Sequence, residues 1–529
     1  VTNQAIELEL FRHLLVSIAE EMGVVLRRTS YSANIKERRD YSCAVYDARG
    51  ETVAMGDHMP VHLGAMPLSV LAAREAFDLK PGDVALLNDP FRGGTHLPDI
   101  TAVAPVYNGG SRQPSFFLAN RAHHADVGGM SPGSMPMARE IYQEGIRIPP
   151  IKIQREGKLD RDLLGLLLAN VRTPVEREGD LMAQLASIRR GAARLNELVV
   201  KYGASQVAMN MRALQDYSER MMRAAITSLP SGVYRFKDRL DNDGISRAAV
   251  RIQVAITIDK GSATVDFSGS SPQAAGAVNA NYAVTLAAVM YVFRCLLKED
   301  VPFTAGILRP IRVLAPEGTV VNARLPAAMA AGNVETSQRV TDVVLGALAQ
   351  AVPDRIPAAS SGTMNNLSFG GWDPRRRAPF AYYETIAGGM GASSKGPGHS
   401  ATHTHMTNTL NTPVEAFEHQ FPVRVEAYRV RRGSAGPGLN NGGDGIVREL
   451  RFLAPSEVTV LSDRRLNGPW GLAGGSPGKP GKNTLIRGKR KSPVAGKARF
   501  DVVANDVLRI ETPGGGGWGR RRTTSSGTR

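Results

Sequence analysis

The chain has little cysteine, few aromatic residues and no long apolar run, and each scarcity closes off a class of protein. Two cysteines in 529 residues, Cys43 and Cys295, cannot staple a disulfide scaffold, and neither belongs to a Cys-x-x-Cys pair. They read as buried thiols in a reducing, cytoplasmic setting. No apolar stretch approaches the roughly 18–20 residues that a membrane span needs. The pattern starting at Val1 is amphipathic and lacks the basic start and apolar core of a signal peptide. A phosphate-cradling Gly-x-x-x-x-Gly-Lys-Ser/Thr loop is also missing; Gly474 to Lys479 comes nearest, but the spacing is short and Pro480 follows. Gly129 to Gly133 and Gly474 to Gly478 match Gly-x-Ser-x-Gly literally, yet a proline follows each serine. Gly514 to Gly519 matches Gly-x-Gly-x-x-Gly but runs into a basic tail instead of a helix. All three read as turn chemistry, so any nucleotide is expected on a partner or at a site without a motif.

Charge is not scarce. Lysine and arginine number 65 against 49 acidic residues, a net charge of +16. The excess is dispersed, with its densest runs at Arg27-Arg28, Lys36 to Arg39, Arg375 to Arg377, Arg487 to Lys491 and Arg520 to Arg522. None is joined to a helix-turn-helix, zinc-finger or aromatic RNA-binding pattern, so an acidic partner subunit or anionic ligands are expected and nucleic acid is not.

The length implies two to four domains. Phe11, Leu14, Leu15, Ile18, Met22, Val25 and Leu26 recur at helical spacing and predict a helix over 4–28. Asp40 to Gly56 alternates as a hairpin, and residues 65–79 read as helix. Helical patterns dominate 161–229, with Gly191 and Gly203 as mild interruptions. At Gly232 the period changes to two, and Val250 to Ile258 turns at Asp259-Lys260-Gly261 into Ala263 to Phe267, an antiparallel hairpin. Helices are expected over 283–297 and 336–352, then short strands with Gly-rich turns beyond about 430. Gly474 to Gly481 and the last residues read as flexible. The fold class is α+β and multi-domain: an α/β part over 1–160 carrying the site loops, a helical segment over 161–230, a central α/β part over 231–430, and a strand-rich part over 431–519 before a basic tail.

The chemistry concentrates between Asp83 and Gly145. Strand Val84 to Leu87 runs into Asn88-Asp89-Pro90-Phe91-Arg92-Gly93-Gly94-Thr95-His96-Leu97-Pro98-Asp99. Strand Ser115 to Ala119 runs into Asn120-Arg121-Ala122-His123-His124-Ala125-Asp126-Val127-Gly128-Gly129. Two strands ending in turns rich in His and Asp can converge at one sheet edge. His123 and Asp126 make the best metal-ligand pair, suiting zinc, manganese or iron, with Glu144, His96 or Asp89 as a third donor; a hydrogen-bonded network is the alternative. His58 and His62 are four apart, but Pro60 between them argues against a helix presenting both to one metal, so one of the two is expected to line a site. Gly332-Asn333-Val334-Glu335-Thr336-Ser337-Gln338-Arg339 precedes a helix, where free N–H groups favour an anionic or carbonyl ligand. Simple capping by Thr336 or Ser337 is the other reading. Gly388 to Ala392 followed by His399, His403 and His405 can form a substrate pocket or a surface loop.

In combination these segments resemble the hydantoinase B / 5-oxoprolinase family. The resemblance rests on Leu87 to Asp99, Ala122 to Gly129 and Gly332 to Asp342, with Pro60 to Gly64, Arg147 to Pro150, Gly442 to Gly445 and Pro513 to Gly519 agreeing in order. It implies the B-type subunit of an ATP-dependent enzyme opening 5-oxoproline or N-methylhydantoin rings. The implied partner is a hydantoinase A-like ATPase subunit in a hetero-oligomer, two of each chain or similar, which binds ATP and Mg and phosphorylates the lactam oxygen. The implied cofactor on this chain is a divalent transition metal (zinc, manganese or iron) on His123 and Asp126, with Glu144 third. Hydroxide attack would follow, with Asp89, His96, Asp99 and His124 as the catalytic set and His124 or Asp89 the general base. His62, Asn333, Glu335 and Arg339 would hold substrate or phosphate. A subunit of an acetone- or acetophenone-type carboxylase is the alternative, and a non-catalytic scaffold the second.

Overall fold

A computed structural model describes residues 3–56, 59–108 and 111–521. His58 and the basic tail from Arg522 onward lie outside the described residues. The architecture is α+β.

The N-terminal sheet has seven antiparallel strands in the order Thr52–Met55, Tyr41–Asp47, Phe116–His123, Asp99–Val106, Val84–Leu87, Ile151–Arg155, Lys158–Leu159. Because side chains alternate across a strand, Cys43 and Val45 join one apolar layer with Phe11, Leu15 and Ile18, while Ala44 and Tyr46 join another with Met66 and Val70. The expected first helix is Asn3–Thr29, and helix Pro174–Tyr202 lies along it. Gly191 does not interrupt that second helix: a Cβ there would stand 2.4 Å from Met22 Sδ, so the glycine lets the two helices approach closely. The central helices therefore share a core with the first sheet.

The hairpin expected at 250–267 is Val250–Asp259 with Ser262–Asp266, in a four-stranded sheet completed by Gly232–Leu240 and Ile311–Leu314. Helices Tyr282–Cys295 and Ser337–Leu348 pack on it and bring its core into contact with the first sheet. A five-residue π turn, Gly332–Thr336, leads into the second of these helices. Two further sheets close the chain. Ala378–Glu384, Asn366–Asp373, Ser456–Leu461 and Lys497–Val502 form one. Val423–Arg431, Gly445–Phe452, Val507–Glu511, Lys482–Arg487 and Arg490–Val494 form the other, and the two share a core through Phe369, Tyr382, Leu450 and Leu508.

The expected flexibility of Gly474 to Gly481 gives way to a pinned segment. Ser476 N donates to Pro437 O at 2.8 Å, Gly478 N to Pro469 O at 2.9 Å and Lys479 N to Ser434 O at 2.8 Å. A Cβ on Gly475 would sit 2.1 Å from Gly517 O, so glycine serves close backbone packing here and not mobility.

Candidate functional site: a buried histidine–aspartate centre

Asp99 opens strand Asp99–Val106 and lies directly opposite His123, the last residue of strand Phe116–His123. The antiparallel register thus sets a carboxylate beside an imidazole at one sheet edge. His96, three residues earlier in the turn, folds back so that its Nε2 is 3.1 Å from Asp99 Oδ1, the oxygen that also meets His123 Nδ1 at 3.2 Å. His62 reaches Asp99 Oδ2 from a short helical turn, Pro60–His62, with Nε2 at 3.3 Å. Thr95 Oγ1 donates to the same oxygen at 2.9 Å and Asn333 Nδ2, from the π turn, at 3.2 Å. All of these side chains are buried.

Electrostatics follow from that crowding. Burial alone would raise the Asp99 carboxyl, but His96, His62 and His123 together outweigh it and hold the group well below the usual carboxylate range. Burial keeps the His123 imidazole below its ordinary value, against the pull of Asp99. His123 Nδ1 donates to Asp99 and its Nε2 has no partner. His96 Nδ1 lies 3.2 Å from Ala330 O. A carbonyl only accepts, so Nδ1 carries the hydrogen and the Nε2 lone pair faces Asp99 Oδ1. Two acceptors so placed call for a proton or a metal ion. His96, Asp99 and His123 can bring one donor atom each within 4.8 Å of one another, the one such trio among the described residues. Two nitrogens with one oxygen suit zinc, manganese or iron.

Further groups fix the centre. Ser42 Oγ is 2.9 Å from His62 Nδ1. The Tyr383 ring stacks on His123 at 4.5 Å, and its hydroxyl donates to Asn366 Oδ1 at 2.8 Å. Asn366 Nδ2 in turn donates to Glu335 Oε1 at 2.8 Å. Arg38 lies over the Tyr383 ring, 5.0 Å from its centroid.

Of the residues singled out from sequence, His62, His96, Asp99, His123 and Asn333 come together. The others have different partners. Asp126 leaves the expected pairing with His123: its Oδ1 accepts from Gly128 N at 2.8 Å and its Oδ2 pairs with Arg172 at 3.1 Å. Glu144, expected as the third ligand, accepts from Met329 N at 2.8 Å and Ala330 N at 2.9 Å. Burial pushes its carboxyl up to about 8. His124 bonds Gln184 Oε1 at 2.9 Å, and burial pushes its imidazole down to about 4. Asp89 anchors its own turn through Phe91 N at 3.0 Å and approaches Arg147 at 3.7 Å. Glu335 sits behind Asn366 and accepts from Met364 N at 3.0 Å, with burial and then Asp463 raising its carboxyl to about 7. Arg339 is locked in ion pairs with Asp238 and Asp463, both at 3.0 Å. Tyr383, Asn366, Ser42 and Thr95 were not anticipated. Thr95 and Ser42 flank visible motifs, whereas Tyr383 and Asn366 arrive from a distant sheet that no local spacing announces.

The sequence profile of the Hydantoinase B/oxoprolinase family matches residues 4–521. The chain belongs to that family. It is 40% identical over 544 residues to 5-oxoprolinase 1 of Arabidopsis thaliana, an alignment covering 97% of this chain and 42% of the plant protein. The chain thus spans about two fifths of that relative. Identity is 32% over 532 residues, 96% of this chain and 88% of the other, to a protein assigned as the B-type component of a D-/L-hydantoinase in Pseudomonas sp. (strain NS671). The crystal structure of an ATP-dependent caprolactamase from Pseudomonas jessenii superposes with a TM-score of 0.91 at 28% identity, over 99% of this chain and 93% of that one. The Asp99 centre thus lies in a chain of the Hydantoinase B/oxoprolinase family. Among the described residues no helix is long and apolar enough to cross a membrane.

Proposed function

We propose that this chain is the B-type subunit of an ATP-dependent cyclic amidohydrolase and carries out ring opening at the Asp99 centre, while ATP and Mg are held by a hydantoinase A-like partner. One observation carries the reading: a buried carboxylate ringed by three imidazoles, two of which leave a nitrogen unpartnered, in a chain of this family. These 529 residues carry no phosphate-binding loop, in keeping with ATP held outside them.

The partner transfers the γ-phosphoryl group to the lactam oxygen. Water then bonds to the activated carbon, the carbon–nitrogen bond breaks, and the ring nitrogen leaves as an amine that takes a proton. A second water cleaves the remaining acyl phosphate to carboxylate and phosphate. A divalent transition metal held by His96, Asp99 and His123 would supply Lewis acidity and lower the pKa of a bound water. His62, held by Ser42 on one nitrogen and facing Asp99 with the other, is placed to take and return the proton. Asn333 keeps Asp99 oriented, and the Tyr383 ring covers His123 and limits water.

The test is to copurify the chain with the ATPase and measure opening of 5-oxoproline with and without ATP. Opening is expected only with ATP, and His123→Ala, shown to be folded, should lose metal and rate together. Full metal content and full rate in that variant would remove the assignment. Bicarbonate-dependent consumption of a ketone would replace the hydrolase with a carboxylase.

A further inference from the structure

Arg38, Arg121, Arg177, Arg339 and Arg448 have fully buried side chains. A buried guanidinium is costly unless a carboxylate answers it. Arg38 has Asp40 at 3.9 Å, Arg177 has Asp180 at 3.0 Å, Arg339 has Asp463 at 3.0 Å and Arg448 has Glu384 at 2.7 Å. Arg121 has no ion pair among the described residues, and hydroxyls are its partners. Its Nε donates to Thr101 Oγ1 at 2.8 Å, its Nη1 to Thr95 Oγ1 at 3.4 Å and its Nη2 to Ser69 Oγ at 2.7 Å.

Strand register puts this cation beside the Asp99 centre. Asp99 stands opposite His123 and Thr101 opposite Arg121, so the two pairs are successive on one face of the sheet. On the other flank of Arg121 the register places Ser42, which touches His62. Burial lowers the Arg121 pKa, and the Asp99 charge is the strongest influence against that. Hydrogen-bond direction then follows from chemistry. A guanidinium only donates, so Thr95 Oγ1 accepts from Arg121 and its one hydrogen is left for Asp99 Oδ2, 2.9 Å away. Ser69 is set in the same way, accepting from Arg121 and donating to Gly93 O. Arg121 thus anchors the turn that carries His96 and Asp99 at Gly93 and again at Thr95.

This arrangement divides the two oxygens of Asp99. Oδ2 meets Thr95, Asn333 and His62, while Oδ1 meets His96 and His123. We propose that Arg121 is a positioning residue for the Asp99 centre: acting through the Thr95 hydroxyl, it holds Oδ2 back so that Oδ1 stays presented between His96 and His123. Arginine is required because its rigid fork aims several donors at once, whereas lysine carries the charge without the geometry. The proposal rests on the reading of His96, Asp99 and His123 as a metal site, but half of its test uses the metal-free chain.

Zinc affinity of the full chain is read by competition with a chromophoric chelator, and the His123 N–H by NMR of the metal-free chain labelled at histidine nitrogen. Arg121→Met is expected to weaken zinc binding about tenfold to a hundredfold, the usual cost of losing a group that orients a ligand. It should also shift the His123 N–H signal. Arg121→Lys, which keeps the charge, should lose nearly as much. Thr95→Val replaces the hydroxyl by a methyl of the same shape and tests the path even where Arg121→Met does not fold. It should show the same two effects, and Thr95→Ser should behave as the parent. Combined with Arg121→Met it should add nothing, because both changes act along one path. In the complex with the ATPase, Arg121→Met should lower kcat for 5-oxoproline and leave KM unchanged. Tighter zinc binding in Arg121→Met would show an arginine that only repels the ion, and would overturn the proposal; so would losses that add in the double variant. A parent that took up no zinc, with Arg121→Met still moving the His123 signal, would sink the metal reading and keep the positioning. An unmoved His123 signal in folded Thr95→Val would overturn the positioning whatever the metal content.

Discussion

Two buried polar clusters draw on helix Ser337–Leu348 and its π turn, and they are built on opposite principles. In one, Arg339 meets Asp238 and Asp463 at 3.0 Å each, Arg464 meets Asp342 at 2.7 Å and Lys497 meets Asp463 at 2.7 Å. Three cations thus face three carboxylates. In the other, a single carboxylate, Asp99, faces three imidazoles, two of which keep an unpartnered nitrogen. Matched full charges hold elements together, even though Arg339 Nε, Arg464 Nε and Asp342 Oδ1 keep no hydrogen-bond partner. A carboxylate ringed by weak bases leaves lone pairs to donate and protons to move. The difference explains why Arg339, although next to a motif that suggested ligand binding, belongs to the framework.

Removing the central charge of each cluster should separate the two kinds of damage. Asp99→Asn is expected to lower the ring-opening rate by more than about a hundredfold and to abolish metal uptake, since even partners one layer out cost tenfold to a hundredfold. Steady-state kinetics and metal analysis read this, and a variant retaining both would dissolve the contrast. Arg339→Ala should instead cost about 3–5 kcal/mol in denaturant unfolding, because it strands buried carboxylates. The fraction that remains folded should bind metal as the parent does. A stable Arg339→Ala that had lost metal would mean the two clusters are one.

The same contrast marks what could be read from the chain alone. Helix Asn3–Thr29 and hairpin Val250–Asp266 were legible because periodicity is a local property of sequence. The His96-to-Asp99 turn and His123 were legible as polar groups at strand ends, and the strand register supplied what spacing could not, that Asp99 stands opposite His123. Asp126 misled because three residues past a strand end do not fix a direction. The chain turns at Gly128, and Arg172, 46 residues on from Asp126, claims the carboxylate. Tyr383 and Asn366 could not be found at all, since they join the site from the sheet formed by Asn366–Asp373 and Ala378–Glu384. Gly475 shows the same limit in the backbone: glycine's freedom and its small size look identical until the neighbouring segment at Gly517 is in view.

Glu144 offers the finest division of the two principles, because it is a buried acid that serves the centre without an ion pair. Its Oε1 takes the N–H groups of Met329 and Ala330, and the Ala330 carbonyl is the acceptor that sets the His96 hydrogen on Nδ1. Burial raises the carboxyl to about 8, so it is mostly neutral at pH 7. Glu144→Gln keeps a carbonyl oxygen for both N–H groups and should hold metal affinity close to that of the parent. Glu144→Ala leaves two buried donors unpaired, about 1–3 kcal/mol each, and should weaken metal binding by about tenfold through the loosened His96. The pH dependence has a defined sign. A carboxyl whose folded value exceeds its ordinary one gives stability that is full below about pH 4.5 and fades as pH rises to about 8. Unfolding midpoints across that window should therefore fall more steeply for the parent than for Glu144→Gln. Parallel curves would show that Glu144 is ionised in the fold, and the centre would then contain a second buried charge instead of a neutral brace.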